Sequence, residues 1–222
     1  MTNSSISRPR GRPRAFDRDE VLGIARRTFW QLGYEGASIH DLTEAMGITP
    51  QSLYAAFKSK ADLYRESLEQ YRRTDGAYVW RILAEDPVTR NAFRRILAQA
   101  AHQYARSDLP PGCMMSTSIT TCAEENRAVA AYVTTMRQEA LARFRTRIEK
   151  GIEAGDVPAG IDTLSAARFM QVTLQGMSIQ ARDGASEADL LAIAGIAAAQ
   201  LDRQLSATAL ATGLSAGSGA SR

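Results

Sequence analysis

Residues able to carry out acid–base, nucleophilic or metal chemistry are sparse in this chain. The histidines are His40 and His102, and neither has a second histidine or a cysteine three or four residues further on. The sequence contains no GxSxG, P-loop or HExxH motif. These observations predict no catalytic residue, no metal site and no cofactor.

The two cysteines, Cys113 and Cys122, are too few for a disulfide scaffold or a structural zinc site. The segment 113–124 is predicted to be helical. In a straight helix the nine steps between the thiols would separate them by roughly 13 Å, which is beyond disulfide reach. The sequence therefore favours buried structural thiols over a redox pair, in a reducing cytoplasm.

The residues suited to binding are concentrated between positions 38 and 60. A short helix, a Gly47-Ile48-Thr49 connection and a second short helix predict a helix-turn-helix. The outer face of the second helix carries small or hydrogen-bonding side chains of the kind that fit a DNA major groove. Two of the three lysines in the chain follow directly. The predicted contacts with double-stranded DNA are Ser38, Thr49, Gln51, Ser52, Tyr54, Lys58 and Lys60.

The elements around these residues follow from the spacing of apolar residues. Apolar side chains recur every three or four positions from Asp17 to Gly33, which predicts an amphipathic helix. Ser38 is a candidate N-cap for the next helix, and Gly47 a candidate end. Thr49 and Pro50 provide a cap and a first-turn proline for the third helix, and Ser59 can cap a fourth.

The rest of the chain predicts longer helices, with prolines only in the gaps between them. No segment shows sustained two-residue alternation, so the fold class is all-α. No apolar stretch approaches 18 residues and no signal peptide is present, so a membrane partner is not expected. The predicted helices span about 60–85, 88–106, 113–124, 127–154, 163–181 and 187–206.

The chain has 222 residues, of which 45% are hydrophobic and 23% are charged, and this excludes collagen-like and wholly disordered proteins. Its net charge of +3 is unevenly distributed: +4 over 1–14, −1 over 15–60 and 0 over 61–222. All the excess positive charge thus lies on an N-terminal arm. A basic arm on a neutral body predicts a localised contact with a polyanion.

Composition also divides the chain into four segments. Residues 1–15 are predicted to be a disordered basic arm, 16–60 the helix-turn-helix domain, 61–207 a helical domain and 208–222 a flexible tail. Within the arm, Pro9-Arg10-Gly11-Arg12-Pro13 matches the core of an AT-hook, in which Arg10 and Arg12 would enter an A·T minor groove. The alternative is a solvated tail.

Residues 16–64 resemble the TetR family of one-component transcriptional regulators. The resemblance rests on an A-x-x-x-F-x-x-x-G-Y opening from Ala25 to Tyr34 and an L-Y-x-x-F-x-S-K ending from Leu53 to Lys60. It implies a homodimer whose three N-terminal helices bind operator DNA, followed by a helical domain that dimerises and binds a small inducer. The remaining 160 or so residues are typical of the family only in length, helicity and divergence.

The resemblance also assigns roles to single positions. It places Ser38 and Tyr54 on backbone contacts, Lys60 on a phosphate, and Thr49, Gln51 and Ser52 on base or groove contacts. Two positions depart from the family pattern. Ala56 stands where the family often has a ring that touches phosphate, and Thr43 replaces a small alanine.

The C-terminal helices carry many large apolar side chains, most of which must form core. A subset facing one cavity would give an adaptable apolar pocket. Trp80, Tyr104, Met115 and Phe144 belong to the wider set. The residues chosen as the candidate pocket are Tyr78, His102, Met114, Met136, Phe169 and Met170.

Small and apolar residues on the last two helices permit close helix approach, which would suit a four-helix interface between two copies of the chain. The alternative is that these residues only close the domain's own core. The predicted dimer-interface residues are Leu174, Met177, Leu190, Ala194, Ala197, Ala198 and Leu201.

The interpretation that follows is a sequence-specific DNA-binding regulator: a repressor released from a palindromic operator by a small-molecule inducer. The first alternative is an architectural DNA-binding protein without a ligand. The second is an all-α enzyme whose site carries no recognisable motif.

Deleting residues 2–14 should test the basic arm. If all four of its arginines lie on DNA, the slope of log affinity against log salt should fall by roughly 3 to 4, at about 0.9 per phosphate contact. Binding to one operator, measured at several salt concentrations for both lengths of protein, gives the two slopes. Equal slopes would contradict an arm contact with DNA.

Overall fold

A computed structural model describes residues 16–119 and 121–206, and within these ranges it is helical with no strand. The all-α prediction is thus confirmed. The predictions for the arm, including Arg10 and Arg12, and for the C-terminal tail lie outside the described residues. The α-helices are α1 (Arg18–Gly36), α2 (Ile39–Met46), α3 (Pro50–Phe57), α4 (Lys60–Arg73), α5 (Tyr78–Glu85), α6 (Thr89–Tyr104), α7 (Arg127–Glu153), α8 (Thr163–Arg182) and α9 (Glu187–Ser206).

The caps predicted for the N-terminal helices are confirmed. The Ser38 hydroxyl accepts from the Asp41 amide at 3.1 Å, and the Asp41 carboxylate accepts from the Ser38 amide at 2.8 Å, which forms a capping box. The Thr49 hydroxyl accepts from the amide of Ser52 at 3.1 Å. Ser59 caps α4 in the same way. Each cap satisfies amides that lack partners in the first turn.

The first helix is broken at Gly33, where it was predicted to end. Gly33 has a φ of 75°, and one further turn continues to Gly36. Tyr34 follows the break and is buried, with its ring centroid 5.0 Å from Tyr64 and 6.3 Å from Phe29. The positive φ, which glycine adopts without penalty, therefore turns an aromatic side chain into the core.

Two predicted helices are wrong. The segment 60–85 is two helices, because α4 stops at Thr74 and Gly76 turns back so that its amide donates to the Tyr71 carbonyl at 2.9 Å. The segment 113–124 is mostly turns. There the hydroxyls of Thr117 and Ser118 donate to backbone carbonyls four residues earlier, and such side-chain bonds in a Ser/Thr-rich stretch compete with helix formation. The helical spacing of the two thiols therefore does not apply.

Buried side chains form two cores. The N-terminal core joins α1–α4 to Leu109, Met114, Ile119 and the first part of α7. The C-terminal core joins α5, α6, α8 and α9 to the second part of α7. Because the N-terminal core recruits later segments, α2 and α3 rest on a body larger than 16–60, and the boundary at residue 60 stays a prediction. In the part of the chain described here, no helix has both the length and the apolar character needed to cross a membrane.

Replacing Gly47, the left-handed C-cap of α2, should destabilise the fold. Gly47 has a φ of 64°, so Gly47→Ala should lower the free energy of unfolding by about 1 to 2 kcal/mol. Gly23→Ala, inside α1, is the control. The added Cβ would lie 4.0 Å from Oε1 of Gln70 on α4, an ordinary contact, so the free energy of unfolding should rise by roughly 0.5 to 1 kcal/mol. Denaturant unfolding at one protein concentration measures both. A Gly47→Ala protein with an unchanged free energy of unfolding would contradict the assigned role of this turn.

Candidate nucleic-acid interface and inner cavity

The helix-turn-helix is built by α2, α3 and the tight turn between them. Gly47 donates to the Glu44 carbonyl and Ile48 to the Thr43 carbonyl, both at 3.1 Å. Leu42 and Leu53 are fully buried in the N-terminal core. This packing fixes the angle between α2 and α3 and leaves one side of α3 uncovered, as the sequence predicts.

The uncovered side of α3 carries hydrogen-bonding and small side chains. Gln51, Tyr54 and Ala55 are exposed, and 47% of Tyr54 is accessible to solvent. Thr49 is exposed, and its hydroxyl lies 3.0 Å from that of the half-buried Ser52. No acidic residue lies on α3. The face therefore offers donors and acceptors for base edges and presents no charge that would repel phosphate.

Two lysines adjoin this face at the α3–α4 turn. Lys58 is exposed and has a φ of 61°, the single positive φ of a non-glycine residue in the described ranges. Lys60 begins α4, with its Nζ 4.4 Å from the centroid of the Tyr34 ring. Burial lowers the pKa of Lys60, while Glu35 and Asp41 oppose this shift. Its ammonium thus lies over the Tyr34 ring, near the carboxylates of Glu35 and Asp41.

Arg18 is a supporting residue that the sequence analysis did not identify. Its guanidinium lies 4.5 Å above the Phe57 ring and forms an ion pair with Glu66 at 2.7 Å. It thereby connects the start of α1 with the end of α3 and with α4. Ala56, the position that departs from the family pattern, is half-buried against the N-terminal core.

An inner cavity of about 80 Å³ lies between α4–α8 and the turns around residue 113. The Tyr71 hydroxyl donates to Cys113 Sγ at 3.2 Å. Burial raises the pKa of Tyr71, Tyr78 and Tyr104, so these phenols are neutral at physiological pH. The lining residues are Tyr71, Arg72, Gly76, Tyr78, Val79, Trp80, Tyr104, Cys113, Met115, Ser116, Arg137, Ala140, Phe144, Gln171, Leu174 and Gln175.

Only Tyr78 among the six chosen pocket residues lines this cavity. The prediction for His102 is wrong, because this residue lies at the surface, with its Nδ1 2.7 Å from a carboxylate oxygen of Glu187. Met114 and Met136 are buried in the N-terminal core, Met170 is buried in the C-terminal core, and Phe169 lines a surface groove. Periodicity identifies large apolar residues but not which of them face a shared space. The polar wall residues Arg137, Gln171 and Gln175 gave no signal in the sequence.

The seven predicted dimer-interface residues remain a prediction. All seven are buried within their own chain, in the C-terminal core. This burial agrees with the alternative that they close the domain's own core, and Met177 and Ala197 also line a groove on the outer surface. The exposed apolar residues of α8 and α9 are different ones: Val172, Ile179, Leu191 and Ile196. Ile179 and Ile196 line a groove on this outer face, together with Phe169 and Ile193.

Polar contacts join the first helix to the C-terminal part of the chain. Arg182, at the end of α8, donates to the carbonyls of Trp30 and Gln31, both at 3.0 Å. The Glu35 carboxylate accepts from Asn126 Nδ2 at 2.9 Å. The α1 residues involved lie within three positions of the break at Gly33, where the helix carbonyls lack following amides.

Within residues 16–119 and 121–206, no three His, Cys, Asp or Glu side chains come together as a metal site. Cys113 and Cys122 are unpaired and half-buried.

Comparison with known proteins agrees with this geometry. Residues 21–66 match the family described as bacterial regulatory proteins of the tetR family, and residues 91–188 match the tetracyclin repressor-like C-terminal domain. The chain is 34% identical to the HTH-type transcriptional repressor ComR of Escherichia coli K12, covering 86% of this chain and 91% of ComR. It is 30% identical to the repressor BdcR of the same strain, covering 89% of this chain and 95% of BdcR.

A solved structure extends the comparison to a DNA complex. It is a cysteine mutant of the TetR-family regulator CifR bound to 26-base-pair operator DNA, with a TM-score of 0.82 and 39% identity, covering 85% of this chain and 98% of CifR. The family matches and these relatives coincide with the helix-turn-helix and the helical body described above. The chain therefore belongs to the TetR family of DNA-binding transcriptional regulators.

Proposed function

We propose that this regulator is a repressor that binds a palindromic operator as a homodimer and is released when a small molecule enters the inner cavity. The observation that carries the proposal is the outer face of α3, which is exposed, hydrogen-bonding and free of acidic residues. Residues 16–60 would form the DNA-reading unit and 61–207 the ligand-binding and dimerisation unit.

In this proposal, the side chains around α3 divide into two groups. Gln51 would contact a base edge, because it is exposed on the uncovered face and its amide can donate and accept. Tyr54, Lys58 and Lys60 would contact phosphate around the groove. Thr49 and Ser52 lie at the N-terminus of α3, where amides and the helix dipole favour an anion. Ser38 would act from the equivalent end of α2.

Substitutions in the two groups should have different effects on DNA binding. Tyr54→Ala and Lys60→Ala should weaken binding to operator and to random duplex by similar factors, because phosphate contacts carry no sequence information. Gln51→Ala should reduce discrimination at one base pair by about 1 to 3 kcal/mol. Gln138→Ala, which alters an exposed residue of α7, is the control. Selection of operators from random duplexes, followed by titration, measures both quantities.

An unchanged sequence preference for Gln51→Ala would contradict the assigned reading face. Uniform protection of long DNA, in place of a footprint confined to one palindrome, would favour an architectural protein over a regulator.

The outer face of α8 and α9 supports the homodimer. Ile196 is 73% exposed, Val172 58% and Ile179 48%. Large aliphatic side chains so close together are unusual on a free surface and typical of an interface. A two-fold axis through such a face would present two copies of α3 to the two half-sites of a palindrome.

Ile196→Arg should test this face. A charge placed there would meet its own copy or apolar surface across a two-fold axis, and it should yield folded monomers with weakened operator binding. Leu32→Arg is the matched control, since Leu32 is 47% exposed but lies on α1. Analytical ultracentrifugation reports the mass, and circular dichroism the fold. A variant that stays dimeric would remove Ile196 from the interface.

Helix α8 supports a route from the cavity to α1. Its residues Gln171, Leu174 and Gln175 line the cavity, and Arg182, two turns further on, binds the carbonyls of Trp30 and Gln31. A ligand that prefers a displaced α8 would therefore also favour a displaced α1, and with it a different spacing of the two reading helices.

A further inference from the structure

The charges around the inner cavity are unbalanced. Its wall contains two cations, Arg72 and Arg137, and no acidic residue. Arg72 is neutralised from outside the wall by Glu69 and Glu139, each at 3.4 Å. Arg137 forms no ion pair with any residue in the described ranges. One positive charge in the wall is therefore left without a partner.

Arg137 is also short of hydrogen bonds. Its Nη2 donates to the Ile119 carbonyl at 3.4 Å, and its Nη1 is buried without a hydrogen-bond partner among the described residues. Burial lowers the pKa of Arg137, but a guanidinium stays protonated in proteins. A buried donor without a partner costs free energy, and more so when it is charged. An incoming anion would remove this cost.

Two other polar side chains of the wall, those of Tyr71 and Gln171, already have hydrogen-bond partners. The Tyr71 hydroxyl donates to Cys113, and burial raises the pKa of Tyr78 and Tyr104, so both phenols stay neutral. The Gln171 amide donates to the Arg137 carbonyl at 2.8 Å. The remaining surface is formed mostly by rings and aliphatic groups, with Trp80 and Phe144 5.9 Å apart between ring centroids. The wall thus combines a cation that has no ion-pair partner among the described residues with a mostly apolar, ring-lined surface.

We propose that the cavity takes a small, flat, largely apolar carboxylate with one aromatic ring, and that Arg137 binds its carboxylate. The planar guanidinium fork matches a carboxylate in a way that an ammonium does not. This inference rests on the proposed function, in which the cavity receives the inducer.

The size of the cavity links binding to movement. Its volume is about 80 Å³, whereas an apolar cavity that holds benzene has about 150 Å³. A one-ring acid therefore exceeds the present volume, and we expect part of the wall to move when the acid binds. Met115 is half-buried and flexible enough to move, and α8 forms another part of the wall. Widening on this side would act on the helix that carries Arg182.

Calorimetric titration at pH 7 with matched acids and amides tests the inference. The probes are benzoate against benzamide and phenylacetate against phenylacetamide, because each pair differs in charge at nearly constant shape. At least one acid should bind roughly 10 to 100 times more tightly than its amide, which corresponds to about 1.4 to 2.7 kcal/mol. Amides that bind as tightly as their acids, or acids that do not bind, would overturn it.

Arg137→Met should abolish the preference for the acid, because it keeps an apolar stem and removes the fork. Arg145→Met is the control, since Arg145 lies on the same helix, is half exposed and pairs with Glu149 at 2.8 Å. Thermal unfolding checks that both variants are folded. If Arg137→Met still bound the acid more tightly than the amide, the inference would be overturned. If this variant does not fold, the acid–amide comparison in the unaltered protein still tests the inference.

Operator binding without and with the acid separates this inference from the proposed function. Release of operator by the acid supports both. Tight acid binding without release supports the carboxylate site and contradicts induction through it. If the protein binds operator but binds neither acid, the carboxylate site is contradicted and the proposed function is not.

Discussion

The packing of α1 against α4 is the interaction on which the rest of the structure depends. Phe29 and Tyr64 are fully buried and meet edge to face with ring centroids 4.9 Å apart, and Tyr34 closes the group from beyond the break in α1. Aromatic pairs of this kind add stability beyond their buried area. Since α4 is also part of the cavity wall through Tyr71 and Arg72, the helix-turn-helix and the inner cavity share one supporting element. Movement in one region is therefore constrained by the other.

Helix α8 serves three structural roles along its length. Its middle turns line the cavity, and Ser178 accepts a hydrogen bond from the Cys113 amide at 2.7 Å. Gly112 lies so close to this helix that a Cβ would come within 2.6 Å of the Ser178 carbonyl oxygen. The last turn then binds α1 through Arg182. Contacts at these three levels anchor α8 to the turn at residue 113 and to α1.

The sequence predicts local structure here better than the identity of partners. The caps at Ser38, Thr49 and Ser59 are correct because each depends only on residues within the next turn. The cavity and the interface are less predictable, because α8 and α9 are apolar on more than one side. Ala198 and Ile196 are two residues apart, yet the first is buried in its own chain and the second is exposed. Periodicity cannot distinguish core from interface, and Arg137 lines the cavity only because tertiary packing brings α7 alongside α4.

The backbone conformation at Lys58 determines how a substitution there would affect both the stability of the turn and the charge beside α3. A lysine with a φ of 61° carries a steric cost of order 1 kcal/mol that a glycine would not. Glycine would thus give a more stable turn and remove a cation beside α3. The same substitution therefore acts in opposite directions on folding and on attraction to a polyanion. Stabilising substitutions at this turn would come at the expense of DNA affinity, a conflict set by one dihedral angle.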